Sequence, residues 1–374
     1  MPTTPFRSNR GAAPASWIGR GLALVFATLV LSIASLGGAP AALAALPPGN
    51  AVSDPTALLR NALPIPPGDL QDLQHRLEAT SDELRAKRWS ALSNAVRRSQ
   101  SLLSSRRTAL INGFAAADQP EAETLLGQLE TQLQDLFAAS EAQNRDAFLD
   151  ARRAALGSIG TAEALLVGPF PFEIPAEFAA LPRLLGRATV QITTTKGAIT
   201  AVVDGYNAPI TAGAFVDLVQ RGFYDGLPFS RAEDFYVLQT GDPAGPDDGF
   251  IDPTSQKQRR VPLEIRVPGR NQPFYNQTFE DLGLFKATPV LPFATKGTLG
   301  WAHSDEALDD GSSQFFLFLF EAELTPAGLN LIDGRYAAFG YVVDGFDVLQ
   351  ELSADDGIVN ATVLEGAENL RPHG

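Results

Sequence analysis

The chain has 374 residues, of which 45% are hydrophobic and 19% are charged, and its 43 acidic residues against 29 basic ones give a net charge of −14. This acidity excludes nucleic acid as an expected partner, because a phosphate backbone requires a basic surface. Cysteine is absent and histidine occurs three times, which excludes thiolate nucleophiles, disulfides and cysteine metal sites. We expect about two domains, at ~150 residues each, with no metal and no other cofactor.

Residues 1–44 have the pattern of an export signal. Three arginines are followed by an apolar run at 21–36, and small residues then lead to Ala42-Leu43-Ala44. An uncleaved membrane anchor is the alternative, but this run is shorter than the ~20 residues that span a bilayer. The pattern predicts cleavage after Ala44 and export, with no stable membrane anchor afterwards.

Residues 45–68 are rich in proline and predict a tether with one short helical turn. Over residues 69–180, apolar residues recur at helical spacing in three segments, which predicts an antiparallel helical bundle. The first segment runs over about 69–113, a capping box at Asp118 and Glu121 opens the second, and the third covers about 141–167. A leucine zipper between two chains is the alternative reading of this spacing.

From residue 181 to 374 the pattern changes to short alternating segments rich in valine, isoleucine and threonine. Residues 188–195 and 198–204, with Lys196-Gly197 between them, predict a β-hairpin, and residues 209–221 predict a helix. We therefore expect residues 181–374 to form a closed antiparallel β-barrel. The chain as a whole is expected to be of the α+β class, with the helical bundle first.

The second half contains three phrases that carry a family signature, whereas motifs of serine hydrolases, zinc proteases and dinucleotide binding are absent. They are Phe229-Ser230-Arg231 with Gln239-Thr240-Gly241-Asp242, then Gly311-Ser312-Ser313-Gln314-Phe315-Phe316, then Asp333-Gly334-Arg335 with Phe339-Gly340. In order and spacing they resemble the cyclophilin family of peptidyl-prolyl cis-trans isomerases, over residues 187–364. The resemblance implies an eight-stranded antiparallel barrel closed by two helices, which binds proline-containing protein segments.

The reaction of that family rotates an X-Pro amide across a barrier of ~18–20 kcal/mol. No covalent bond is made or broken, so the residues that matter are those that stabilise the twisted amide. A guanidinium that donates to the prolyl nitrogen does so, because it keeps its proton and holds a fixed geometry. The resemblance assigns this catalytic role to Arg231, oriented by Gln239. It assigns substrate binding to Phe229, Tyr236, Val237, Ala302, His303, Gln314, Phe316, Leu331, Ile332 and Tyr336, with His303 acting through its backbone where the family usually has asparagine.

Several positions depart from the family pattern. Leu331 stands where a tryptophan is common, Tyr336 where a histidine is common, and Tyr236 where a phenylalanine is usual. Glu233 and Asp234 follow Arg231 where the family is apolar. We expect these carboxylates to pair with the guanidinium and to reduce its donation to substrate, which leaves the isomerase activity open.

Finer phrases, at 238–243, 249–253 and 261–265, resemble the large two-domain cyclophilins of the thylakoid lumen, in their cyanobacterial form. The resemblance implies a lumenal location, with the periplasm as the alternative, and a role in photosystem II assembly or repair. Two functions stay open. One is an assembly factor or chaperone that binds proline-containing segments, such as lumenal loops of photosystem II, with weak or regulated turnover. The other is a fully active general foldase. Docking of the helical domain on the cyclophilin groove, as an autoinhibitor, would combine them.

Overall fold

The computed structural model describes residues 53–233, 236–245, 249–253, 255–320 and 332–371. The export signal predicted at residues 1–44 lies outside these ranges. Residues 51–374 belong to one compact unit. Within the described ranges, no helix is both long enough and apolar enough to cross a bilayer.

Helices fill the first part of the unit. They are α1 (Pro55–Asn61), α2 (Asp69–Glu78), α3 (Thr80–Arg85), α4 (Trp89–Gly113), α5 (Gln119–Glu141) and α6 (Arg145–Val167). The predicted helical segment at 69–113 is divided into three helices, and one break lies at Lys87, whose φ of 53° is left-handed and ends a helix. The three helical segments predicted from leucine spacing are therefore present, but the first of them is interrupted at two points.

The predicted capping box at Asp118 and Glu121 is wrong, since the Asp118 side chain makes no cap hydrogen bond. Asp118 has helical backbone angles, and its N–H donates to the carbonyl of Ala115 at 2.8 Å. An N-cap residue needs an extended backbone to turn its side chain towards the helix start. The short turn at Ala115 removes that geometry, and Pro120 in the first turn of α5 starts the helix instead.

The bundle has a hydrophobic core of its own, built from the predicted leucines. Leu73, Leu77, Leu92, Leu126 and Leu133 are each fully buried. Burying one leucine side chain stabilises a fold by roughly 1.5–3 kcal/mol. The leucine stripes therefore hold α2, α4, α5 and α6 together within one chain.

Strands dominate the second part. They are β1 (Arg183–Leu184), β2 (Arg187–Thr194), β3 (Gly197–Asp204), β4 (Phe229–Glu233), β5 (Val237–Thr240), β6 (Glu264–Ile265), β7 (Phe274–Tyr275), β8 (Thr298–Trp301), β9 (Phe315–Phe318), β10 (Ala337–Asp344), β11 (Ile358–Glu365) and β12 (Leu370–Arg371). Two helices accompany them, α7 (Pro209–Gln220) and α8 (Phe346–Glu351). The predicted hairpin is confirmed, because β2 and β3 pair in register through Thr194 and Gly197.

The main sheet is antiparallel, with eight strands in the order β11-β2-β3-β10-β8-β9-β5-β4. Its curled shape agrees with the cyclophilin resemblance, but the predicted closed barrel is not confirmed. Within the described residues, the outer strands β11 and β4 are joined by an isolated bridge between Pro228 and Gly357 rather than by a ladder. Hydrogen bonds flank that bridge, from the N–H of Phe229 to the carbonyl of Asp356 at 3.0 Å and from the N–H of Ile358 to the carbonyl of Leu227 at 2.8 Å, so the two edges meet at this point without a continuous ladder.

Helix α7 is held against the sheet by a buried carboxylate from the segment between β5 and β8. Oε2 of Glu264 accepts hydrogen bonds from the N–H groups of Ile210 and Thr211, at 3.1 and 3.0 Å, and from the Thr211 hydroxyl at 3.1 Å. These groups form the first turn of α7, where backbone donors lack helical partners. Burial raises the pKa of Glu264 to about 7, against the opposing effect of these hydrogen bonds.

Helix α1 is more than the tether that the sequence suggested, because it packs into the β part. Leu58, Leu59 and Ala62 belong to the same hydrophobic core as the sheet and α7. Arg187 of β2 donates to the carbonyl of Leu59, and Asn207 donates to the carbonyl of Ala62 at 2.9 Å. This short helix therefore joins the bundle to the sheet.

Glu163 of α6 lies near this junction as an unpaired buried acid. Its side chain is fully buried, and neither carboxylate oxygen has a hydrogen-bond partner within the described residues. Burial raises the pKa of Glu163 to about 7, the charges of Arg60 and Arg187 oppose that rise, and Glu78 adds to it. Below about pH 7 the folded protein therefore holds Glu163 mainly in its neutral form.

We expect the substitution Glu163→Gln to stabilise the protein at pH 8 and to have little effect at pH 4.5. Between the ordinary glutamate pKa of 4.5 and about 7, the folded state holds a proton that the unfolded state has released. Stability therefore falls as the pH rises through this window, by on the order of 2–3 kcal/mol, and glutamine avoids that loss.

Urea unfolding at the two pH values measures this effect. The exposed Glu123 of α5 provides the control substitution Glu123→Gln, which should leave the pH dependence of wild type in place. Equal free energies of unfolding for wild type and Glu163→Gln at pH 8 would contradict the prediction.

Candidate functional site

The centre of the predicted site is formed by one row of residues that lie directly opposite one another on neighbouring strands. Arg231 of β4 lies opposite Gln239 of β5, Gln239 lies opposite Phe316 of β9, and Phe316 lies opposite Gly300 of β8. Directly opposed residues of a sheet present their side chains on the same face. The register thus brings together four residues from three separate stretches of the sequence.

Arg231 forms an ion pair with Glu233, one of the two carboxylates that the sequence analysis expected to pair with its guanidinium. Its Nε donates to Glu233 Oε1 at 2.9 Å, and its Nη2 donates to the same oxygen. The two side chains lie on one face because alternate residues of a strand point the same way. Both are about half exposed, at 56% for Arg231 and 46% for Glu233. Asp234, the second predicted carboxylate, lies outside the described residues.

Gln239 is held by Gln314. Its Nε2 donates to Gln314 Oε1 at 2.8 Å, and both side chains are partly buried. The resemblance implied that Gln239 orients Arg231, and the hydrogen bond that the structure shows for its amide joins it to Gln314 instead. The amide group of Gln239 has more donor and acceptor sites than this one bond uses, which suits it to a peptide backbone.

Phe316 forms the floor of an aromatic pocket. It is 5% exposed and stacks on Phe293 with ring centroids 5.7 Å apart. The ring of Tyr336 meets it edge-on at 5.5 Å. Val237 and Ile332, also assigned to the pocket by resemblance, are buried at 6% and 7% exposure. These side chains therefore lie almost wholly inside the core, and the partly buried Tyr336 is the ring of this cluster that reaches the surface.

Two residues of this pocket were missed by sequence reasoning. Phe293 lies in the long segment between β5 and β8, where no motif marks it. Gly300 faces the Phe316 ring so closely that a Cβ atom there would lie 2.2 Å from Phe316 Cζ. The glycine is therefore needed for the ring to lie across the strand, and only the register of β8 with β9 reveals this.

A cavity of about 200 Å³ adjoins the pocket. It is lined by Gln239, Gln258, Ala302, His303, Ser304, Asp310, Gly311, Ser312 and Gln314. Four of the residues assigned by resemblance therefore share one cavity. Gln258 and Asp310 join them from loops that carried no assigned role.

The remaining assigned residues are less closely gathered. Phe229 is 4% exposed and belongs to the hydrophobic core. Tyr236 packs against Phe318 and Phe320, with ring centroids 6.0 and 6.2 Å away. Leu331 lies outside the described residues.

Acidic side chains near the cavity are tied to their neighbours. Asp310 accepts hydrogen bonds from the N–H of Ser304 at 2.9 Å and from its hydroxyl at 2.5 Å, while Asp309 pairs with Arg260 at 2.7 Å. Burial alone would raise the pKa of Asp310, but the Ser304 hydrogen bonds and the nearby His303 and Arg260 lower it below its usual value. Among the described residues, no group of three or more acidic or histidine side chains is arranged to hold a metal ion.

Two family models match the chain. Residues 189–366 match the model described as cyclophilin type peptidyl-prolyl cis-trans isomerase. Residues 54–167 match the model described as the PsbQ-like domain of CYP38-like peptidyl-prolyl cis-trans isomerases. The first match contains the whole row from Arg231 to Gly300, and the second contains helices α1 to α6.

The chain is similar to proteins of cyanobacteria and plants along most of its length. It is 50% identical to a Synechocystis sp. protein named for a thylakoid lumen peptidyl-prolyl cis-trans isomerase, over 94% of this chain and 95% of that protein. It is 42% identical to the chloroplastic peptidyl-prolyl cis-trans isomerase CYP38 of Arabidopsis thaliana, over 86% of this chain and 76% of that protein. A crystal structure of a Cryptosporidium parvum cyclophilin matches with a TM-score of 0.34 and 19% identity, over 47% of this chain and 99% of that one.

We expect Gly300→Ala to destabilise the protein by about 1–3 kcal/mol, because the added methyl group overlaps the buried Phe316 ring. The matched control is Gly157→Ala on α6, where a Cβ meets no atom within 4 Å. That control should stabilise the protein by roughly 0.5–1 kcal/mol, the usual gain from alanine within a helix. Urea unfolding of both variants compares the two sites, and a neutral Gly300→Ala would show that Phe316 does not need the glycine.

Proposed function

We propose that this chain, which belongs to the cyclophilin-type peptidyl-prolyl cis-trans isomerases, acts in the thylakoid lumen as a chaperone or assembly factor. It binds proline-containing segments of lumenal proteins and isomerises them weakly. Export to the thylakoid lumen agrees with the 50% identical Synechocystis protein, whose name gives that location.

The expectation of weak turnover rests on the ion pair between Arg231 and Glu233. Rate enhancement in this chemistry comes from a donor that meets charge developing in the twisted amide. The hydrogen bonds of Arg231 to Glu233 occupy two of the five guanidinium N–H groups and hold the guanidinium towards Glu233. An exposed ion pair is worth only about 0–1 kcal/mol, so the guanidinium is released for part of the time. Turnover is therefore reduced rather than lost.

The same site keeps features that would bind a proline-containing peptide even though its turnover is slow. The aromatic pocket of Phe316 and Tyr336 still offers an apolar surface. The paired amides of Gln239 and Gln314 stand beside it and suit a peptide backbone. A site that binds ground state and transition state alike gives affinity without rate, which is what an assembly factor requires.

The proposed clients are lumenal loops of photosystem II subunits, during assembly or repair. Support comes from the resemblance of the chain to the two-domain lumenal cyclophilins, including the helical region at residues 54–167. Those helices offer a second surface for a partner.

Docking of the helical bundle on the groove remains part of the proposal. The contacts seen between the two parts run through α1, with Arg187 and Asn207 as donors. Arg231 keeps 56% of its side-chain surface exposed in this arrangement. Regulation by the bundle would therefore require a change at the α1 junction.

A fully active general foldase is the second candidate. The register that aligns Arg231, Gln239 and Phe316 favours it, because it presents the residues that the family uses in one row. The two candidates differ in whether Glu233 limits the rate.

We expect Glu233→Gln to raise kcat/KM for prolyl isomerisation by roughly two- to six-fold, since glutamine cannot hold the guanidinium as an ion pair and an exposed pair is worth at most about 1 kcal/mol. Arg231→Ala should abolish the activity of both wild type and Glu233→Gln. The measurement is a protease-coupled isomerisation assay on residues 45–374, the expected mature chain.

The matched control is Glu365→Gln on β11, an exposed glutamate that changes the net charge equally. It should leave kcat/KM unchanged. A wild type that is already fast and indifferent to Glu233→Gln would favour the general foldase. A wild type and a Glu233→Gln variant that are both inactive would show that the ion pair is not what limits turnover.

A further inference from the structure

The helical bundle has a groove of its own, separate from the cyclophilin site. This bundle groove has a volume of about 380 Å³ and lies between α4 on one side and the region of α2 and α3 on the other. Arg76 and Arg98 line it from the two sides, and three alanines, Ala79, Ala91 and Ala95, add methyl groups to its lining. The bundle groove therefore combines positive charge with a small apolar surface.

The two arginines of the bundle groove have no partner of their own. Among the described residues, neither Arg76 nor Arg98 makes an ion pair or a hydrogen bond through its side chain, and both are exposed. Glu83 also lines the bundle groove, but its Oε2 lies 2.5 Å from Nε of Arg88, which neutralises its charge. Two guanidiniums therefore remain within reach of an incoming carboxylate.

The surrounding stretch of sequence is basic in a chain that is otherwise acidic. Residues 84–117 contain seven arginines and lysines and no aspartate or glutamate, whereas the whole chain has a net charge of −14. Three of the arginines on α4, Arg97, Arg106 and Arg107, pair with acidic residues of neighbouring helices at 3.6–3.8 Å. Arg98 differs from them, because it faces the bundle groove without a carboxylate from the described part of the chain.

We propose that the bundle groove binds an acidic segment of a partner protein, in which carboxylates flank an apolar residue. Arg76 and Arg98 bind the carboxylates, since a guanidinium presents a planar set of donors that matches a carboxylate. The alanine methyl groups contact the apolar side chain between them. This inference adds a second binding site to the proposed function and does not depend on whether the cyclophilin site binds proline.

The distribution of charge favours a short segment over an extended anionic surface. Residues 181–374 contain 26 acidic residues against 14 basic ones. A membrane or a nucleic acid extends beyond the bundle and meets the repulsion of this acidic part. A short acidic segment stays within the basic stretch around α4 and avoids that repulsion.

The test is fluorescence anisotropy with the expected mature chain, residues 45–374, and a labelled, capped peptide of sequence Asp-Glu-Leu-Asp-Glu. We expect this peptide to bind, and its affinity to fall as NaCl is raised from about 50 to about 500 mM, because salt screens exposed charges. The amide analogue Asn-Gln-Leu-Asn-Gln has the same shape without the charges and should not bind. Failure of the acidic peptide to bind at low salt, or equal binding of the amide analogue, would overturn the proposal.

Substitutions then locate the site. Arg76→Gln and Arg98→Gln should each weaken binding of the acidic peptide by about two- to five-fold, the value of one exposed ion pair, and the double variant by about four- to twenty-five-fold. Both side chains are exposed, so the leucine core of the bundle stays intact. Ala95→Gln adds bulk within the bundle groove at constant net charge and should also lower the affinity.

Arg97→Gln provides the matched control. Arg97 is the next residue on α4 and its substitution changes the net charge equally, but it pairs with Glu141 and does not line the bundle groove. It should leave the affinity unchanged. An equal loss in Arg97→Gln and Arg98→Gln would overturn the proposal, because the affinity would then follow net charge instead of the bundle groove.

Two further measurements separate the alternatives. Flotation with phosphatidylglycerol vesicles tests a lipid surface: vesicle binding that requires Arg76 and Arg98, without binding of the acidic peptide, would assign the bundle groove to lipid headgroups and overturn the proposal. Titration with a capped Ala-Ala-Pro-Phe peptide tests the proposed function separately. Failure of that peptide to bind would count against the proposed function and leave the result at the bundle groove standing.

Discussion

The register of β5 between β4 and β9 is the constraint on which the site depends. It sets Gln239 opposite Arg231 on one side and opposite Phe316 on the other. A shift by one residue would turn all of β5 over and move its polar and apolar side chains to the wrong faces. Gly300 extends the same row and leaves room for the Phe316 ring. The groove is therefore a property of strand pairing across the sheet.

On this shared framework, a few substitutions change what the groove can do. Glu233 lies two positions from Arg231 on the same face of β4, which is why its carboxylate reaches the guanidinium. His303 lies beside the cavity, with a carbonyl oxygen near each ring nitrogen. Glu233 lowers the availability of a donor, and His303 links residue 304 to residue 335. Both act at the groove without altering the strands that build it.

Two buried carboxyl groups lie where parts of the molecule meet. Glu264 ties the long segment between β5 and β8 to the first turn of α7. Glu163 lies near the contact of α1 with the bundle, with no partner for its oxygens among the described residues. Burial raises the pKa of each to about 7. Each of these carboxyl groups therefore keeps its proton to a higher pH than an exposed glutamate does.

The sequence alone predicted what depends on local pattern: the leucine stripes of the bundle, the β2–β3 hairpin, and the phrases around Arg231 and Gln314. These follow from periodicity and turn chemistry, which neighbouring residues carry. Tertiary structure decided the rest. Phe293 enters the pocket from a segment with no motif, α1 joins the sheet core instead of serving as a tether, and the predicted cap at Asp118 fails. The first two depend on contacts between residues distant in sequence, which no local pattern encodes, whereas the Asp118 cap is lost to the turn that begins at Ala115.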